Sequence, residues 1–184
     1  MTTQTVASTR AELMRRIVRD ARQVLDGTMA DVTQTQVEFI PPGIANPLGA
    51  TYAHVVCSED MIVQGMFRQA APLAATTWAG RTGLSEPMPM PGPGWADYGP
   101  WTRRVRIDLA QLRAYAQAVA EQTDTWLAGV SDAELDQPMD LTQIGLGQHT
   151  RASAIALLLA NHLGTETGEI AVLKGIQGAR GYPM

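Results

Sequence analysis

The sequence predicts an all-α protein, a four-helix bundle with a long Pro/Gly-rich loop between its second and third helices. Four stretches repeat apolar residues at alternating three and four spacing. Signals that begin or end helices flank those stretches, and no segment alternates with the two-residue period of a strand over any length. With 184 residues, 45% of them hydrophobic, the chain is expected to form one domain over residues 1–184 around a sizeable core.

Helix A is predicted over residues 10 to 29, with Leu13, Ile17, Ala21, Val24 and Thr28 on its apolar face and Arg and Asp opposite. Gly27 marks its C-terminal region, and Ile40-Pro41-Pro42-Gly43 forces an extended or turning connection. Asn46 as cap and Pro47 at the first helical position open helix B, from residue 48 to about residue 67. Its seam runs Ala50, His54, Cys57, Met61, so a histidine faces the core side. Residues 68 to 107 read as loop, since EPMPMPGPGWADYGPW holds too much proline and glycine for an element interior. Within it Trp95, Tyr98 and Trp101 either pin the loop to the bundle or line a pocket mouth, and anchoring is the favoured reading.

Asp108 caps helix C, whose seam is Leu109, Leu112, Ala116, Val119, Thr123 and Trp126 and which ends near Gly129. Ser131 and Glu134 have the spacing of a capping box for one short turn, which Pro138 prevents from extending. Helix D spans residues 150 to 174 with the seam Ile155, Leu159, His162, Glu166, Glu169, Leu173. Three of those six positions are ionisable, a costly choice in a bundle interior unless they are paired, hydrogen-bonded or bound to a metal. His162 and Glu166 stand four apart, which brings two side chains to one point in space. If B and D are neighbours, His54 joins them.

The formal charge of −4, without any Lys/Arg run, argues against a nucleic-acid surface. The apolar run 154–160 is too short to span a bilayer, so no membrane is expected as partner. A single cysteine excludes an intramolecular disulfide framework, and the N-terminal residues lack the apolar core of a signal peptide, so a cytoplasmic location is expected.

The residues Pro41-Pro42-Gly43, Asn46-Pro47-Leu48, His54, Asn161-His162, Gly168-Glu169-Ile170, Leu173-Lys174-Gly175, Gly178 and Gly181-Tyr182-Pro183 resemble the DinB superfamily over nearly the whole chain. The ending NHLGTETGEIAVLKGIQGARGYP is the most specific piece. The resemblance implies an antiparallel bundle of DinB/YfiT-like type with an uncommon connection order, often a homodimer, and a divalent metal held by three histidines. Two of those positions fall on His54 and His162, whereas the third, two residues before the Gly of Gly-Glu-Ile, is Glu166 here. Two histidines and a carboxylate with an open position suit zinc or ferrous iron, so the departure either retunes the site or removes it. The ion implied is zinc, nickel, iron or manganese.

The resemblance further implies a metal-dependent transferase acting on a small-molecule substrate with a low-molecular-weight thiol such as bacillithiol or mycothiol. Trp95 to Trp101 would then wall the substrate side. A metal-dependent hydrolase would use the same ligands with Glu169 or Glu59 as general base. The contrasting expectation is a non-catalytic, metal-free bundle in which the histidines form a hydrogen-bond network and the protein acts through self-association or a protein partner. Cys57 reads as a small buried hydrophobe, His149 as exposed, Glu169 as a hydrogen-bond partner of a histidine, and the nine methionines as core fillers.

Overall fold

The computed structural model describes residues 8–90 and 96–183. Four long helical rods form the bundle. The first, α1 (Arg10–Met29), opens on a capping box in which the Thr9 hydroxyl accepts from Glu12 N–H and the Glu12 carboxylate accepts from Thr9 N–H. Its core-facing residues are Val18, Leu25, Thr28 and Met29, with Arg22 among them. Of the predicted face Thr28 is buried as expected, whereas Leu13, Ile17 and Val24 are exposed. Two adjacent rows of α1 are apolar at helical spacing, and the arginine in the true core row made the outer one look better.

Residues 34–38, expected as loop, form a short helix α2 (Gln34–Glu38) capped by Thr33 and Gln36. It packs on the start of α3 (Leu48–Asp60) so closely that a Cβ on Gly49 would lie 2.5 Å from Val37 Cγ1. Pro47 stands in the cap position of α3 and its carbonyl accepts from Thr51 N–H at 3.0 Å, so Asn46 is not the cap. Every residue of α3 except His54 is buried, which makes it the central helix. It continues as a π-helical segment, Met61–Phe67.

Among the described residues of the stretch after it, side-chain bonds tie the backbone to the bundle. Asp60 accepts from Leu73 N–H and Ala74 N–H, both at 2.9 Å, and from the Tyr115 hydroxyl at 2.6 Å, tying the chain to α3. A helix α4 (Tyr98–Arg104) follows, tolerating Pro100 because a proline in the first turn forfeits no intrahelical bond. Trp101 of α4 is fully buried and anchors the segment, whereas Trp95 lies outside the described residues.

Asp108 caps α5 (Leu109–Gly129) through Gln111 N–H as predicted. Trp126 is only half-buried and stacks on Phe67 at 4.9 Å, and Leu127 takes the core position beside it. After α6 (Asp132–Leu135), built on the Ser131–Glu134 capping box, β1 (Pro138–Asp140) pairs antiparallel with β2 (Gln148–Thr150). This hairpin was not foreseen, because three residues per strand are too few to display alternation. Thr150 caps the last rod: α7 (Arg151–Ile155), a π-helical segment Ala156–Asn161, then α8 (His162–Ile176).

The rods pack with α3 against α5 and α8, and α1 against the same two. The first two long helices therefore lie diagonally opposite, and helices B and D are neighbours. The C-terminal tail folds back on the bundle, where a Cβ on Gly181 would sit 3.0 Å from the Ala171 carbonyl oxygen and one on Gly27 would sit 3.0 Å from Pro183. Lys174, buried in α8, donates to Thr28 O at 2.6 Å and to Asp31 at 2.5 Å, closing the C-terminal end of α1. Among the described residues, no helix is long and apolar enough to cross a membrane.

Candidate metal centre

The only residue of α3 that is not buried faces the first residue of α8. His54 and His162 bring their Nε2 atoms to 3.1 Å, and Glu166 Oε1, one turn further along α8, lies 3.7 Å from His162 Nε2. One ligand atom from each of the three falls within 4.8 Å of the others, a group able to hold a metal ion. Ligands sharing a tetrahedral ion at about 2.0–2.1 Å stand roughly 3.3 Å apart, so these separations need little adjustment. The π-helical segment Ala156–Asn161 ends immediately before His162 and sets how the ring enters the interface, a recurrent use of such segments.

The protonation states suit ligation. Burial, and then the neighbouring His162, push the His54 imidazole down to about 4, and burial lowers His162 as well. Both rings are thus neutral near pH 7, the form that ligates. The His54 Nδ1 atom lies 3.4 Å from the Ser58 hydroxyl, a contact that can hold the tautomer leaving Nε2 as the donor atom. Burial raises Glu166 to about 7, with Glu169 adding to the effect. Glu169, on the same face, accepts from the Thr51 hydroxyl at 3.4 Å. Among the described residues neither carboxylate has a lysine or arginine within ion-pairing distance. Glu169 thus places a second half-buried carboxyl on the same face as Glu166, beside the two neutral imidazoles.

The site is walled on one side by Tyr98, whose ring meets His54 edge-on at 5.3 Å and stacks over Trp101 at 5.7 Å. The other side reaches solvent, since the His162 and Glu166 side chains keep 23% and 20% of their surface exposed.

Other candidates fall elsewhere. Glu59 is buried towards α1 and α5, where it accepts from the Thr123 hydroxyl at 2.7 Å and pairs with the buried Arg22, so it is no base for this centre. Cys57 is buried outside the ligand group, and burial pushes its thiol up to about 12. His149, expected to be exposed, is half-buried in β2 with Ser153 Oγ at 2.7 Å and Leu146 O at 3.0 Å, and it too lies outside the group. Sequence reasoning missed Ser58 and Thr51. Their only signal was position, four after and three before His54 on one helix.

Comparison with known proteins fits this geometry. A crystal structure of a conserved protein from Enterococcus faecalis superposes with a TM-score of 0.73 at 16% identity, covering 94% of this chain and 99% of that one, a likeness of fold. No curated protein matches. The family description that matches residues 17–170 takes in both π-helical segments, α3 and all three candidate ligands, and by that match the chain belongs to the DinB superfamily.

Proposed function

We propose that His54, His162 and Glu166 hold a divalent ion, zinc, nickel, iron or manganese, and that the protein is a metal-dependent transferase using a low-molecular-weight thiol. One observation carries the reading: two neutral imidazoles and a carboxylate converge within 4.8 Å, with a second carboxylate beside them and no organic cation paired to either acid among the described residues. Three protein ligands leave a position for a small molecule. The ion would supply Lewis acidity there, favouring the thiolate form of a coordinated thiol at neutral pH.

The chain's own residues supply the rest. Ser58 orients the His54 ring, and Glu169 offers a carboxylate to take the proton released from the thiol. Tyr98 excludes water from one side of the centre. The carboxylate of Glu166 adds negative charge where the family's usual third ligand is a neutral imidazole, so the ion held here would be a weaker Lewis acid. Self-association into a homodimer belongs to the same proposal and is supported by the exposed apolar row Leu13, Ile17 and Val24 on α1.

A second reading draws on the 3.1 Å contact between the two Nε2 atoms, which a pair of neutral imidazoles can make as a hydrogen bond without any ion. In that case the seam is vestigial and the bundle is non-catalytic. Elemental analysis of untagged protein, prepared without chelator beside His162→Ala, separates the two. Near-stoichiometric metal that disappears in the variant supports the centre. Metal in neither protein, and none taken up from divalent salts, refutes it.

A further inference from the structure

His149 and Ser153 lie outside the candidate ligand group, at the junction of β2 and α7, with Ser153 Oγ 2.7 Å from His149 Nδ1 and Leu146 O 3.0 Å from His149 Nε2. A carbonyl only accepts, so in the neutral ring Nε2 carries the proton and Nδ1 offers its lone pair to the Ser153 hydroxyl. All three parts are held in place. Leu146 lies between Gly145 and Gly147, whose φ angles of 81° and 77° bend the loop, and its N–H donates to Leu141 O at 3.1 Å. His149 is paired with Met139 in the hairpin, and the Ser153 N–H donates to the Thr150 hydroxyl at 3.2 Å. Ser153 is exposed, so an electrophile can reach its Oγ, and the adjoining loop exposes the apolar side chains of Ile144 and Leu146. A hydroxyl in hydrogen-bond reach of an imidazole that a third group orients is the arrangement that makes a serine nucleophilic.

We propose that Ser153 is a nucleophile and His149 its general base, a second reactive site that works independently of the metal centre and accepts the acyl group of a small activated ester. Ser153 Oγ bonds to the carbonyl carbon as its proton passes to His149 Nδ1. The bond from that carbon to the leaving oxygen breaks, and the alcohol departs with the proton. Water, deprotonated by the same nitrogen, then cleaves the Ser153 ester, which releases the acid and restores both side chains.

The test treats the full chain with diisopropyl phosphorofluoridate, with and without EDTA, and maps the adduct by mass spectrometry. Ser153 should be labelled at least about 100-fold faster than Ser85 and Ser131, which are also exposed but are bonded to the Arg106 N–H and to Glu134. EDTA should change nothing, His149→Gln should slow the labelling of Ser153 by a similar factor, and the adduct should abolish hydrolysis of p-nitrophenyl acetate. Labelling of Ser153 no faster than that of the other two serines overturns the inference, and this comparison within the wild-type chain stands even where the variant does not fold. An unchanged rate in a folded His149→Gln overturns it too, as does an ester that the wild type does not hydrolyse or still hydrolyses once labelled. Labelling lost with EDTA assigns the reaction to the metal centre and overturns it as well.

Discussion

The Nε2 atoms of His54 and His162 lie 3.1 Å apart although 108 residues separate them along the chain. The contact puts the donor atoms of α3 and α8 at ligand spacing, with Glu166 as third member. Replacing either histidine by alanine is expected to weaken zinc binding by more than about 100-fold, as loss of a direct ligand exceeds the 10–100-fold cost typical of its hydrogen-bond supports. Competition with a chromophoric chelator measures it, and unchanged affinity in His54→Ala would remove that residue from the centre.

Glu166→Gln keeps the side-chain shape and removes the anionic donor. In metal-free protein the substitution has a pH signature. The folded chain holds Glu166 at about 7, above its ordinary value of 4.5, so its stabilising contribution is full below about pH 4.5 and is lost as pH rises through about 7. Metal-free Glu166→Gln should therefore melt a few degrees above metal-free wild type at pH 8, with the difference vanishing towards pH 4.5. Calorimetry at the two pH values checks this, and an excess that grows on acidification contradicts it.

His54 acts in the opposite sense. Its folded value near 4 lies below the ordinary 6.5, so the contribution is complete above about pH 6.5 and is lost as pH falls towards about 4. Between pH 6.5 and 4.5 the slopes from His54 and Glu166 oppose each other. The metal-free wild type should show a shallow dependence there, and His54→Gln should steepen it towards greater stability at low pH. Urea midpoints across this window are the measurement.

Lys174 is 2% exposed and its ammonium caps the Thr28 carbonyl and pairs with Asp31. Lys174→Ala should cost about 2–4 kcal/mol, combining a lost charge-assisted bond with a cavity, and Lys174→Met should cost less because it keeps the packed stem. Urea unfolding at constant m-value would establish it. A loss below about 0.5 kcal/mol, the scale of a surface change, would mean that the end of α1 is held by other contacts.

Asp60 bridges α3, the turn at Leu73 and Tyr115 of α5. Asp60→Ala should cost about 3 kcal/mol, in the range for breaking a buried network, and should expose residues 68–90 to protease before the bundle itself unfolds. Cleavage kinetics beside a global melt separate the two effects.

Much of this architecture was legible in periodicity. The four rods, the cap at Asp108, the capping box at Ser131, and His54, His162 and Glu166 as one candidate group could all be read from spacing and from the family resemblance. The errors share a cause. The face of α1 was misassigned because Arg22 occupies a core position, where it pairs with the buried acid Glu59. The helix α4 was read as loop because composition registers Gly99 and Pro100 but not the burial of Trp101, which outweighs them. Likewise Ser58 and Thr51 gain a role only once α8 is placed against α3.

The diagonal placement of α1 and α3 bears on how the chain is made. The long partners of α3, α5 and α8, both follow it in sequence, so a growing chain carries a helix that is buried nearly all round in the folded protein before its two long partners exist to cover it. Its burial waits on α8, and the pairing of His54 with His162 closes a loop of 108 residues, among the more expensive contacts to form. Synthesis therefore passes through a stage in which α3 is complete and uncovered while His54, His162 and Glu166 are not yet together, and chaperone demand should peak before the last helix is released.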